Sequence, residues 1–425
     1  MMRTHAALRR ELTAAGRIGF TAHVAENVVK TAAGDYVQAF RLAGAAFESA
    51  DDRQLNAWHE RLNVLWRNIA APNVALWTHV VRNRERTGEW PAGAQGFADA
   101  LGAKYWRRLA AETLMSNQLY LAVVYRPFAR RAAGAMSRVL ARMRRDEMRL
   151  ELVDALEACE KLRQVLLASL AHYEPETLGC YRVDGLQCSA LLEYLGLLIN
   201  GEWQRMPLPR GPLERALATT RLFFGNEAIE YRMPTQTRVG AMLGIKEYPT
   251  PSVVGMYDRL LSAPFPLVLT QSFTFLSKAA SQGLLQRQYH RMLNAGDFAL
   301  SQAEALKSAL DALTSNEFVM GDHHFSLQVL ADDAEADAGH GASAGGRGIE
   351  GERAAGARRI KRLNDHVALA RSLLADTGML VAREDLALEA AFWAQLPGNF
   401  PMRPRKAPIS SRNFAAMAPF HNYPA

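Results

Sequence analysis

From Tyr36 to Leu42, Val74 to Val81 and Leu119 to Tyr125 the chain carries short β-rich runs bounded by Gly, Pro or Asn. They predict strands of one sheet. Between the first two, Leu55, Trp58, Leu62, Leu65, Trp66 and Ile69 recur at intervals of three and four. That is the apolar face of a helix, for which Ser49 with Asp52 offers a capping box. A long amphipathic helix is expected from Ala135 to Ala171, with Leu152, Leu156, Cys159 and Leu166 as its apolar stripe. It reads as a surface helix across the sheet.

A second unit begins near Thr250. Its first strand, Phe265 to Phe275, sets Leu267, Leu269, Phe273 and Phe275 on one face and Thr270, Ser272 and Thr274 on the other. A helix is expected from Ser277 to about Ala295, then another opened by the capping box Ser301-x-x-Glu304 with Leu306, Leu310 and Leu313 inward. The next strand alternates Phe325, Leu327 and Val329 with His324, Ser326 and Gln328, giving one core side and one polar side. Residues 331–357 start acidic and run into seven glycines, which predicts a flexible insertion. Helical periodicity returns at Ile360, Leu363, Val367, Ala370 and Leu374, followed by a strand at Met379 to Val381 and a helix through about Gln395.

The pattern predicts an α+β protein of two mixed α/β units, their sheets covered by amphipathic helices, followed by an extended carboxyl-terminal connector. The expected divisions are 1–175, a connecting β-rich segment 176–250, a central domain 251–400 and the connector 401–425.

Composition adds limits. The chain has 425 residues, 49% hydrophobic and 22% charged, enough for a sizeable core. The net charge is +7, yet 43 acidic residues are interleaved with 50 basic ones, the pattern of a solvated surface more than of a nucleic-acid arm. Three cysteines, Cys159, Cys180 and Cys188, without CxxC spacing, argue against a disulfide framework or structural zinc and for a reducing compartment. Met1 to Gly19 lacks the apolar run of a signal peptide. Apolar stretches such as Leu191 to Ile199 and Pro264 to Phe275 stop short of the roughly 18 to 20 residues that span a bilayer. Any membrane contact is therefore expected to be peripheral or through a partner.

The sequence offers little chemistry. No Gly-x-x-x-x-Gly-Lys-Ser/Thr phosphate loop occurs; the nearest echo, Gly240 to Lys246, lacks spacing and hydroxyl and reads as a loop. His323 and His324 are neighbours on a strand and so point to opposite faces, which disfavours chelation of one ion. Cys180, Cys188, Tyr181 and Asp184 form no nucleophile–base pattern. Gln271, on the apolar face of its strand, must find partners, and is expected to fasten the sheet to a neighbouring loop; His324 is taken as structural. The basic run Arg130, Arg131, Arg138, Arg142, Arg144 and Arg145 is balanced by acids from Asp146 to Glu160 and reads as an ion-paired surface. Arg403, Arg405, Lys406 and Arg412 are less balanced and read as solvated, with phosphate binding as the alternative.

Particular words then outweigh periodicity. Gln395-Leu396-Pro397-Gly398-Asn399-Phe400, followed by Arg403 and Arg405, then Ser410-Ser411-Arg412-Asn413-Phe414-Ala415 and Pro419-Phe420-His421-Asn422-Tyr423, resembles the sequence preceding the motor domain in the CagE/TrbE/VirB ATPase family. Ala71-Pro72-Asn73-Val74-Ala75-Leu76-Trp77-Thr78-His79, Thr270-Gln271-Ser272-Phe273 and Gly321-Asp322-His323-His324 are similar to that family in the same order. The resemblance implies an energiser of a type IV secretion apparatus on the cytoplasmic face of the bacterial inner membrane, used in pilus assembly and substrate translocation. It implies partners among the inner-membrane components and a small membrane protein, and homo-oligomers of full-length members. A nucleic-acid-binding module is the alternative partner class.

By the same resemblance ATP and Mg belong to a RecA-like domain that the 425 residues do not include. Truncation of a longer ATPase is the expectation, with a stand-alone docking module as the alternative. No catalytic, cofactor-binding or metal-ligating residue carries over, and the chain alone is expected to be inactive. Gln395, Pro397, Gly398, Asn399, Arg403, Arg405, Asn413 and His421 are the residues expected to couple the connector to a motor.

Overall fold

The structure, a computed structural model, describes residues 14–85, 96–110, 112, 114–127, 145–234, 236–294, 300–331 and 349–423. The chain opens with β1 (Phe20–Ala25), β2 (Val28–Thr31), β3 (Tyr36–Leu42) and the two-residue β4 (Ala45–Ala46). Helix α1 (Asp52–Asn68) leads to a long hairpin of β5 (Val74–Glu85) and β6 (Leu114–Tyr125), with α2 (Phe97–Ala110) between its strands. Then come α3 (Arg145–Ser169), β7 (Pro175–Thr177), the small hairpin β8 (Cys180–Val183) and β9 (Leu186–Ser189), α4 (Ala190–Asn200) and α5 (Leu213–Ala216).

The meander β10 (Arg221–Phe224), β11 (Ile229–Arg232) and β12 (Thr237–Glu247) precedes β13 (Leu267–Phe275). The helical hairpin α6 (Lys278–Asn294) and α7 (Leu300–Thr314) connects β13 to β14 (Met320–Ala331). The remainder is α8 (Ile349–Ala375), β15 (Leu380–Arg383), α9 (Leu388–Trp393), β16 (Ala407–Ser410), α10 (Ser411–Met417) and β17 (His421–Asn422).

Among the described residues thirteen strands join in one antiparallel sheet whose main order is β1-β2-β3-β6-β5-β13-β14-β12-β11-β10. Strand β5 pairs with β13 from Arg82↔Leu267 to Ala75↔Thr274, so strands of the amino-terminal and central stretches lie in the same sheet. The mixed α/β class is as the pattern predicts.

Several local expectations change. The cap of α1 is Asp51, whose carboxylate accepts from Gln54 N while the Gln54 side chain returns to Asp51 N; Ser49 and Asp52 are not the pair. Ser301 lies inside α7 rather than before it. Gly240 to Lys246 is no loop but part of β12, paired with β14 as far as Gly244 and with β15 from Leu243. Of the expected insertion, 332–348 lies outside the described residues, and 349–357 is already the first turns of α8. Of the basic run, Arg130 to Arg144 lies outside the described residues, and α3 is described from Arg145.

Both faces of the central strands are covered. Every residue of β13 is buried, including Thr270, Ser272 and Thr274. Helix α4, buried from Leu191 to Asn200 and largely apolar apart from Glu193 and Asn200, packs with α9 against the face that carries Trp77, Ala122 and Val268. The opposite face carries Leu76, Leu121, Phe273 and Leu327, and is covered by α1, α8 and α10. Residues 401–425, expected as an extended connector, are instead folded against the body as far as Tyr423. They supply a 3-10 turn, β16, α10 and β17, with Phe414, Ala415 and Phe420 in the core. The reason is composition: a segment with this many apolar residues gains more from burial than from solvation.

Candidate functional site: a carboxyl-terminal strap

Residues 393–423 form a strap that starts on one face of the sheet, enters its plane and ends on the other face. The stretch of that face beneath the strap is polar. Alternation places Thr270, Ser272 and Thr274 of β13 beside His324 and Ser326 of β14 and Trp77 and His79 of β5, with Ser272 flanked by Trp77 and His324 and Thr270 flanked by His79 and Ser326. The strap answers with carbonyls. Trp77 Nε1 donates to Ala394 O (3.1 Å), His79 Nε2 to Gln395 O (2.9 Å) and His324 Nδ1 to Pro404 O (2.7 Å).

Arg403 reaches into this face. Its Nη1 donates to Ser272 Oγ (3.2 Å) and Thr274 Oγ1 (2.9 Å), and its guanidinium lies 5.1 Å from the Phe400 ring centroid and 5.7 Å from that of Trp77. Burial lowers its pKa to about 10, so it is a cation at neutral pH. Thr270 Oγ1, Ser326 Oγ and His324 Nε2 are buried here without a hydrogen-bond partner. The turn feeding this face uses Gly398 at φ +93° and Asn399, whose amide donates to Trp393 O (3.0 Å) and Arg17 O (3.1 Å). Pro397 precedes that glycine and so punctuates the end of α9.

In the plane, β12 leaves β14 beyond Gly244↔Ser326, and β16 takes its place, pairing Met320↔Ser410 to His323↔Ala407. Glu384, fully buried at the end of β15, packs against the Cα of Gly244, where any side chain would meet its carboxylate. Arg405, at φ +50°, closes over it with Nε to Oε1 at 2.7 Å and Nη2 to Oε2 at 3.4 Å. Lys406 lies 3.9 Å from Asp322, and Arg412 donates to Glu317 at 3.0 Å. The solvated reading holds for Arg405, Lys406 and Arg412, whose side chains are 42–43% exposed while each takes a carboxylate, and fails for Arg403, which is buried on hydroxyls and rings.

On the far face the contacts are mostly apolar. Phe414 stacks on Phe273 with centroids 4.7 Å apart, and its ring lies 5.8 Å from that of Trp66. One polar relay crosses this face. Tyr248 OH and His323 Nδ1 are 2.8 Å apart, His323 Nε2 and Gln271 Oε1 3.2 Å, and Gln271 Nε2 donates to Met417 O at 2.9 Å. Because the amide nitrogen of Gln271 serves a carbonyl, its oxygen accepts from His323, which fixes that imidazole as the neutral Nε2–H tautomer. Ser410 caps α10, Asn413 Nδ2 donates to Ser252 Oγ (3.1 Å), and His59 Nε2 donates to Arg412 O (2.9 Å). His421 Nδ1 lies 2.7 Å from Asp258 Oδ2, and its ring stacks on Phe47.

Burial holds three of these imidazoles neutral: His79 and His324 are pushed down to about 4 and His323 to about 3. A second proton would displace the Tyr194 hydroxyl 2.8 Å from His79 Nδ1 and the Tyr248 hydroxyl at His323 Nδ1, and on His324 Nε2 it would find no acceptor.

The structure therefore brings Gln395, Pro397, Gly398, Asn399, Arg403, Arg405, Asn413 and His421 into one strap, with Gln271 and His324 in the sheet beneath it. Reading the sequence missed Glu384, His59, Asp258 and Tyr248. The signal for Glu384 was Gly244 inside a strand, a mark of close approach by another group; the others carry none. Elsewhere His23 Nε2 lies 2.9 Å from Ser189 Oγ, but that hydroxyl is fully buried and caps α4, so it is a structural contact.

The arrangement fastens and registers a polypeptide segment, and comparison with known proteins fits the words that compose it. A family described as CagE, TrbE, VirB, component of type IV transporter system, matches residues 176–338 and 356–405, and the type IV secretion system ATPase VirB4/TrbE N-terminal domain matches residues 27–133. The chain is 36% identical over 419 residues to the type IV secretion system protein virB4 of Bartonella quintana, covering 98% of this chain and 50% of that one. It is 34% identical over 422 residues to the PtlC homolog of Bordetella bronchiseptica and 33% over 425 to virB4 of Brucella suis, in each case 98% of this chain and 48% of the other. The chain thus spans about half the length of the curated relatives it matches. It belongs to the CagE, TrbE, VirB family of type IV transporter components.

Proposed function

We propose that these residues form the docking and assembly part of a type IV secretion ATPase. They bind the inner-membrane components of the apparatus, a small membrane protein among them, on the cytoplasmic face. The strap passes mechanical work between this body and a nucleotide-binding domain, in support of pilus assembly and substrate translocation. The observation that carries the reading is the strap itself: the family-like segment that would join a motor is bound to both faces and the plane of the sheet, so displacement at its end is felt by the central strands.

ATP and Mg are assigned to residues outside this sequence, which contains no Gly-x-x-x-x-Gly-Lys-Ser/Thr segment. Among the described residues no helix is long and apolar enough to cross a membrane, compatible with peripheral attachment. The test is co-purification from detergent-solubilised membranes of a bacterium carrying the cognate secretion genes. Inner-membrane apparatus proteins should accompany the tagged chain, and ATP turnover by the pure chain should not exceed buffer. Recovery of none of those proteins, or turnover by the chain alone, would sink the assignment.

A further inference from the structure

Helix α2 lies between the two strands of the β5–β6 hairpin, and none of its described residues is buried. Its outward side carries Phe97, Leu101 and Tyr105, which are 83%, 56% and 63% exposed. They are spaced by four, so they lie in one stripe along the axis. The same outward arc carries Lys104, Arg107 and Arg108, all exposed, and Phe97, Lys104 and Arg108 fall within about 40° of one another at 100° per residue. Asp99, the only acidic residue of the helix, is half-buried and turned to the other side with Gly102 and Trp106.

Two features decide what would cover this face. The exposed side chains are large: a stripe of Phe, Leu and Tyr open to water is costly unless something removes it from water. The charge on the stripe is of one sign, so a covering surface must be both apolar in depth and anionic at its rim. A protein groove lined with carboxylates meets the second condition but has to desolvate them beside the aromatic rings, whereas a bilayer of anionic lipid supplies headgroup charge at the surface and hydrocarbon beneath.

We propose that α2 lies in the headgroup region of an anionic lipid surface, Phe97, Leu101 and Tyr105 entering the acyl boundary and Lys104, Arg107 and Arg108 pairing with lipid phosphates. This rests on the peripheral membrane placement proposed above and assigns it to one helix.

Flotation of the purified chain with vesicles of phosphatidylcholine alone, and of equal parts phosphatidylcholine and phosphatidylglycerol, tests it. Binding to the anionic vesicles should exceed binding to the neutral ones about tenfold or more and weaken as salt rises. The variant Leu101→Asp with Tyr105→Asp, and separately Lys104→Glu with Arg107→Glu and Arg108→Glu, should each abolish it. All five side chains are exposed, so the thermal midpoint should stay within a few degrees of the parent. Absence of vesicle binding by the parent chain overturns the inference, as does parent-like binding by both variants. If the chain fails to float yet still recovers apparatus proteins from detergent, the docking assignment stands and the lipid role of α2 falls. If it floats but recovers none, the reverse holds. Loss of apparatus proteins in the α2 variants without any lipid binding would make the stripe a protein-docking face, and would also overturn the proposal.

Discussion

The two halves of the strap rest on opposite faces of the same strands and are held by different physics. Residues 394–405 lie on hydroxyls, imidazoles and an indole, mainly through hydrogen bonds and one buried guanidinium, with Leu396 as their apolar anchor. Residues 411–420 lie on Phe273, Trp66 and their neighbours through aromatic packing, with one amide relay. Net gains from hydrogen bonds are about 0.5–1.5 kcal/mol each, since water competes for the same groups, and a group left unpaired costs about 1–3 kcal/mol. Apolar burial scales with area and has no such penalty. The front half therefore sets register and the back half supplies most of the hold.

Acid should test this most strongly. The folded imidazoles of His79, His323 and His324 bind protons only near pH 4, 3 and 4, whereas in the unfolded chain they do so near 6.5. Below pH 6.5 the unfolded state binds more protons, so stability is full above that value and is lost as pH falls toward 4, by about 2 kcal/mol per imidazole at pH 5. Denaturant midpoints measured near neutrality and near pH 5 should drop markedly. A midpoint indifferent to pH in this window would mean that these rings are not held neutral by burial.

Next in size is the contrast between single truncations. Phe414→Ala removes a ring from the back seat and should cost about 3–5 kcal/mol. Arg403→Ala leaves Ser272 and Thr274 without their donor on the front and should cost about 1–3 kcal/mol. Urea titrations of the two variants settle the order, and a larger loss from Arg403→Ala would reverse the division of labour.

The sheet plane gives a third measure. Arg405→Ala leaves the carboxylate of Glu384 buried beside Gly244, though the 42% exposure of the Arg405 side chain lets water reach the pair. The expected cost is about 1–3 kcal/mol. Adding Glu384→Gln should restore part of it, because a neutral amide is cheaper to bury alone than a carboxylate. If the double variant is no more stable than Arg405→Ala, the pair acts through packing instead of charge.

These contrasts also mark what the sequence could tell. The alternation of Leu267, Leu269, Phe273 and Phe275 with Thr270, Ser272 and Thr274 was legible, because a strand's period of two depends on nothing outside it. What would cover the polar side was not: the guanidinium that reaches Ser272 comes from Arg403, 131 positions further along the chain. The carboxylates that Arg405 and Arg412 take lie 21 and 95 positions away, so the sequence showed their exposure to solvent and not their partners. The words from Gln395 to Tyr423 pointed to a family and a junction, while the fact that they wrap both faces of a sheet depends on tertiary contacts.

The smallest effect is the sharpest test of whether the halves are separable. Gly398 sits at φ +93°, and a Cβ there would meet only Thr31 Cγ2 at 3.5 Å, an ordinary contact. Gly398→Ala therefore acts through backbone strain and not collision, about 1–2 kcal/mol confined to the turn. Amide exchange should quicken at Asn399 and Met402, which donate within that turn, and stay unchanged at Ala418, which donates to Phe414 O on the far face. Equal acceleration at both ends would show that the strap opens as one cooperative unit. The polar front would then share in the hold that is assigned here to the aromatic back.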